Sequence, residues 1–199
     1  MHTALTWRLT TADRPPPWSI DTKVEIFCER VDGWQLKIAE LCAKGGSDHD
    51  GTNDHPAIRH SGFAVLAIAL SYFEMIGKYR AGYCRHGKSA EYFNEGFRYV
   101  FPDLANVKPA WAAGLLDALY KKVRCGLYHV GGIGSGVLLT GDFQGFIGFD
   151  VPHQLLVINP HQAPSVMLDN LARYRDEILD PANVEIRENF LRRFDHDNA

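Results

Sequence analysis

The chain has 199 residues, of which 46% are hydrophobic and 23% charged, and it carries a net charge of −3 at pH 7. That length suits one domain with a sizeable core, and the composition is that of an ordinary soluble globular protein rather than a disordered or fibrous one. A global basic field for nucleic acid is excluded, so any such site must rest on a local patch.

In chain order, residues 1–19 read as an irregular N-terminal arm without the apolar run of a signal peptide. Thr3–Thr10 can pair as a short strand, and Pro15-Pro16-Pro17 ends any regular element. Residues 20–199 read as a single domain. With Asp21 as N-cap, helix one runs through VEIFCERVDGWQLKIAELCAK and sets Val24, Phe27, Val31, Trp34, Ile38 and Leu41 on one face, with Gly33 weakening its middle. Gly45–His55 is a polar loop. Its Asp48, His49, Asp50, Asp54 and His55, with His60 nearby, are metal-ligating types, but their spacing matches no known cage. The loop's Gly, Ser, Asn and Asp residues are also what a solvated turn needs. No metal is expected.

Helix two is expected over Ala57–Tyr79, with Pro56 in its first turn. It is apolar nearly all round, which predicts a central, buried helix. Its most apolar part, Ser61–Ile76, is broken by Ser71 and Glu74 and is short for a bilayer span, so no membrane partner is expected. Glu74 is the odd residue, because a buried carboxylate needs a partner or a proton. It pairs with Arg124, or it sits in a structural ion pair at the helix rim. Lys78–Lys88, KYRAGYCRHGK, carries Lys78, Arg80, Arg85 and Lys88 without an acidic residue, interleaved with Tyr79, Tyr83 and His86. Such a stretch suits phosphate contacts and base stacking, or simply a solvated loop. Helix three spans Ser89–Phe101 and stops at Pro102.

A fourth helix begins near Ala110 and ends at Gly131-Gly132, a strong stop signal. Leu116, Leu119, Tyr120, Val123, Leu127 and Val130 form its apolar stripe. At roughly 100° per residue, Arg124 and His129 lie about 140° apart on the flanks of that stripe, with Lys121, Cys125 and Tyr128 in the arc between them. Beyond it, VLLT and FQGFIGF read as a hairpin turning at Gly141-Asp142, and residues 155–159 can add a third strand. The glycines of residues 131–136 lack the strand–loop–helix context of a phosphate loop. Two helices, Pro164–Leu179 and Val184–Phe194, close the chain. The four cysteines, Cys28, Cys42, Cys84 and Cys125, show no C-x-x-C spacing and fit reduced thiols in a cytoplasmic protein.

Arg124-Cys-Gly-Leu-Tyr-His129, near the end of a late helix, resembles the Arg-x4–6-His motif of HEPN domains. The resemblance implies a mainly α, HEPN-like helical bundle over about residues 20–195, here with a small β-hairpin or three-stranded insertion after the motif helix. It implies a homodimer acting on RNA as a metal-independent ribonuclease without cofactor, of toxin or phage-defence type, with an antitoxin or regulatory protein as a further partner. Arg124 and His129 would be catalytic. Lys121, Tyr128, Cys125, Glu74, Lys78, Arg80, Arg85 and Lys88 are candidates for RNA contact or support. Two positions depart from the family pattern. Cys125 follows the arginine where many catalytic members have a polar residue such as Asn, which keeps a non-cleaving nucleotide-binding or interaction module open. Gly131 stands where some members carry a tyrosine that is nucleotidylated.

The chemistry agrees with the motif. Metal-free RNA cleavage needs a proton carrier with a pKa near neutral, which suits His. It also needs a fixed cation for the phosphate oxygens, which suits the fork of Arg. One helix alone, with the two groups about 140° apart, places them poorly. Two copies across a two-fold axis can join them in one cleft.

Overall fold

The computed structural model describes residues 3–150 and 152–199. It is mostly helical, with one two-stranded and one three-stranded sheet. Helix α1 (Ile20–Val31) is capped by Ser19, whose hydroxyl accepts the Thr22 N–H. Asp21, expected as the cap, lies in the first turn instead, where the helix dipole favours a negative charge.

α1 passes through a π-helical turn, Asp32–Leu36, into α2 (Lys37–Lys44). That turn overturns the expected face of helix one. A π turn takes an extra residue, so every side chain beyond it is rotated. Burial steps from Val31 to Leu36, Ala39 and Ala43, while Trp34 and Ile38 are each 46% exposed. Trp7 lies on Gly33 in this turn, where a β-carbon would run into the indole. The N-terminal arm is therefore irregular but docked. Leu5 and Leu9 are buried, an isolated bridge joins Ala4 to Thr10, and Arg8 pairs with Glu25 and Glu29 of α1.

The polar loop closes as a small antiparallel pair, β1 (Gly46–Ser47) with β2 (Asp54–His55). Asp48 accepts N–H bonds from Thr52 and Asn53 within it. Among the described residues no three His, Cys, Asp or Glu side chains gather as a metal cluster. The loop carries on as a connector through residue 61, so α3 (Gly62–Ala81) starts later than expected and Pro56 lies outside it. The Ser61 hydroxyl donates to the Cys42 carbonyl at 2.8 Å and ties this connector to α2. α3 is long and apolar enough to cross a membrane, but 56% of that apolar window is buried inside the fold.

α4 (Ser89–Val100) makes the most extensive helix–helix contact of the structure, with α3. Two glycines permit it. A β-carbon on Gly77 would overlap the Tyr92 carbonyl, and one on Gly96 would overlap the Phe73 carbonyl. The backbones touch at both points. Around this seam Phe73 packs on Phe93, Phe97, Phe101 and Phe146.

α5 (Pro109–Ala118) runs directly into a second π-helical segment, Leu119–Val130. It ends where expected: Gly131 takes a left-handed φ of 70° and bonds back to the Gly126 carbonyl. The three strands that follow, β3 (Val137–Leu139), β4 (Ile147–Asp150) and β5 (Leu155–Ile158), lie in the order β3-β5-β4. β3 is parallel to β5, and β4 is antiparallel to it. The insertion is three-stranded, but the expected hairpin of VLLT with FQGFIGF does not form. Asn159, buried at the end of β5, donates to the Gly141 and Phe143 carbonyls at 3.2 and 2.6 Å, which makes residues 140–146 a crossover rather than a turn. α6 (Ala163–Leu179) and α7 (Val184–Asp197) complete the bundle.

The glycine seam generates a prediction. Alanine should favour a helix by about 1 kcal/mol over glycine, but at Gly77 or Gly96 the added methyl meets a backbone carbonyl that cannot rotate away. We expect Gly77→Ala and Gly96→Ala each to destabilise by about 2–3 kcal/mol net, read as a lower urea midpoint. An unchanged or raised midpoint would refute the seam.

Candidate functional site

The π winding changes the geometry of the motif. In an α-helix the i→i+4 bond makes residues four apart neighbours; in a π-helix the bond spans five. Arg124 and His129 are five apart, so this winding brings them much nearer to one side than the about 140° of an α-helix. The same winding turns Val130, expected on the apolar stripe, out to 83% exposure, while Leu119 and Val123 stay buried. His129 is exposed, and among the described residues its imidazole makes no hydrogen bond.

Arg124 is held on three sides. Its Nη2 donates to Glu74 Oε2 at 2.8 Å. Its guanidinium lies 4.7 Å from the Tyr128 ring centroid and 5.8 Å from that of Tyr120. Tyr128 is fixed in turn by donating its hydroxyl to the Ala67 carbonyl of α3 at 2.7 Å. Glu74 therefore has the partner the sequence offered it, and a second one, because Lys78 Nζ donates to Oε1 at 2.7 Å. Burial alone would raise the carboxyl pKa of Glu74. The hydrogen bonds from Lys78 and Ser89 and the charges of Lys78 and Arg124 outweigh burial and hold it below the ordinary value.

Glu74, Lys78 and Arg124 line one side of a pocket of about 300 Å³. Its other side comes from α7, where Arg193 and Asp197 pair at 2.6 Å. The motif reading missed these two residues. A faint signal exists in the sequence: Arg193 sits three residues after Phe190 and one before Phe194, both core residues, so it flanks the buried stripe of α7.

The other candidates are dispersed. Lys121 pairs with Asp117 in solvent at 2.7 Å. Cys125 lies beside Tyr120, whose phenol is pushed up chiefly by burial. The basic stretch 78–88 does not act as one surface. Arg80 is spent on the fold, lying 3.8 Å over the Tyr99 ring and bonding Glu177 at 3.2 Å. Lys88 pairs with Glu91, and Arg85 stacks on the neighbouring Tyr83 at 4.9 Å. Of that stretch only Lys78 and Tyr79 line the Arg124 pocket. No known family model, curated protein or solved structure matches this chain.

The Glu74 cluster has a pH signature. A carboxyl held below its unfolded value, near 4.3, stabilises the fold above that pH, and the contribution is lost as the pH falls through the folded value. Wild type should therefore lose melting temperature below about pH 4.3 more steeply than Glu74→Gln does. At pH 7 the variant should be less stable by about 2 kcal/mol, since two cations lose their shared partner. Parallel melting curves for the two proteins across pH 3–7 would contradict the assignment.

Proposed function

We propose that this chain is an endoribonuclease of the HEPN type, acting as a homodimer without metal. The observation that carries the reading is the π segment. It sets on one side of a helix an arginine immobilised by Glu74 and a histidine open to solvent. π-helical turns beyond a single bulge are rare, and they recur at functional sites. His129 would exchange the proton of the attacking 2′-hydroxyl or of the leaving 5′-oxygen. Arg124, permanently charged, would hold the phosphate oxygens as charge builds on them. Glu74 and Tyr128 would position Arg124. A second copy docked over His129 and the exposed Val130 would pool two such pairs in one cleft. A toxin or defence role, held in check by an antitoxin or regulatory protein, would follow from such an activity.

A second reading, an RNA- or nucleotide-binding module that does not cleave, is favoured by one observation. Arg124 is already paired with Glu74, and Cys125 supplies no strong polar group beside it. Single-turnover cleavage separates the two readings. We expect His129→Ala to slow cleavage by about a hundredfold or more with RNA binding and fold retained. We expect Arg124→Ala to slow it by about a hundredfold and to weaken binding as well. A mixed dimer carrying one substitution in each subunit tests whether the site is shared. Wild-type rates in both single variants would leave the binding module.

The same preparation tests metal and assembly. Cleavage should persist in EDTA and leave a cyclic phosphate or 3′-phosphate end. Light scattering should give about twice the 22.3 kDa chain mass. Activity lost in chelator and restored by Mg²⁺, or a monomer that remains fully active, would overturn the composite, metal-free site.

A further inference from the structure

We propose that the pocket between α3, the π segment and α7 is a phosphate-binding site in which Arg193 is the second arginine beside Arg124. The inference stands on the pocket itself. It rests on the ribonuclease reading only for placing that phosphate on RNA next to the bond that is cut. Three cations line the pocket, Lys78, Arg124 and Arg193, against two carboxylates, Glu74 and Asp197, leaving a net charge of 3 − 2 = +1. Both carboxylates are already engaged. Glu74 is shared between Lys78 and Arg124, and Asp197 is taken by Arg193 at 2.6 Å. The surplus charge is thus left for something from outside.

The guanidinium donors point the same way. A guanidinium carries five N–H donors and no acceptor. Buried side-chain polar atoms are normally bonded, so the exceptions call for an explanation. Eight such atoms lack a partner among the described residues, and two of them are the Nε atoms of Arg124 and Arg193, side chains that line this one pocket; those Nε atoms are closed to solvent, so the donors left for a ligand are the Nη groups. They come from elements far apart in sequence, so the coincidence is a tertiary one. Both side chains are mostly buried, with 20% and 14% of their surfaces exposed, and each is fixed by an ion pair, so little ordering remains to be done on binding. At about 300 Å³ the pocket is at the small end of ligand sites, with room for a phosphate and part of its sugar rather than for a whole oligonucleotide. Arginine forks suit tetrahedral phosphate oxygens by shape as well as by charge.

The phosphate can be a terminal monoester or an internal diester of the backbone, and three probes distinguish them. These are inorganic phosphate, a nucleoside 3′-monophosphate, and a 2′-O-methyl RNA oligonucleotide with free 5′- and 3′-hydroxyls, which contains internal diesters alone and cannot be cut. Calorimetric titration of the full-length protein should show saturable binding of at least one nucleotide probe, with inorganic phosphate competing. The monophosphate alone binding would assign a terminal phosphate, and the oligonucleotide binding would assign the backbone. Arg193→Gln should weaken the bound probe by about tenfold or more. Because that change also breaks the pair with Asp197, Asp197→Asn is the control. It keeps the arginine and removes a negative charge, so it should tighten binding. No competition by phosphate, or Asp197→Asn failing to tighten while Arg193→Gln folds and binds as wild type does, would overturn the site. His129→Ala should leave this binding unchanged whatever it does to cleavage. The pocket and the ribonuclease reading therefore fail separately.

Discussion

The close approach of α3 and α4 is the constraint on which the rest of the structure depends. Gly77 and Gly96 each remove the side chain that would keep the two backbones apart. The contact sets α3 at the centre of the bundle and orders the phenylalanines around Phe73. It also fixes Glu74, one turn before Gly77, at the edge of the core rather than within it. A carboxylate there is dry enough to interact strongly and exposed enough to stay ionised. Arg124 and Lys78 are organised by that one side chain, and the pocket is built outward from it.

Much of this was legible from residue types alone. The apolar, all-round character of α3, the stop at Gly131 and the two terminal helices follow from periodicity and capping, which are local. Glu74 as a carboxylate in need of a partner was legible too, because an acid in an apolar helix has few ways to be satisfied. The misplaced helix faces share one cause. Both π segments add a residue per turn, and an α template then assigns later side chains to the wrong face. Trp34 and Ile38 after the first segment, and Val130 in the second, were misplaced in that way. The same template put Arg124 and His129 on opposite flanks. No composition signal marks a π turn; the contacts found at these two, Trp7 on Gly33 and Tyr128 on α3, are long-range.

The sheet and the pocket were missed for a different reason. Local turn chemistry at Gly141-Asp142 suggested a hairpin, but the decision belonged to Asn159, which binds the intervening loop from a later position in the chain. Arg193 likewise joins Arg124 from an element 69 residues later in the chain. Long-range pairings carry no spacing rule, and only the assembled bundle brings the two arginines together.

The strand order has a consequence in time. β3 follows the motif helix after a six-residue loop, yet its ladder partner is β5, which leaves the ribosome only after β4. The loop of residues 131–136, which ends the π segment and folds back to bond the Lys122 carbonyl through Gly134 and the Lys122 ammonium through the Ser135 carbonyl, is therefore held at its far end by a strand that does not yet exist when the helix is made. Non-local pairings of this kind form late, because the chain must close a loop before any contact repays it. The helix that carries Arg124 and His129 is thus made before the strand that holds the loop at its C-terminal end.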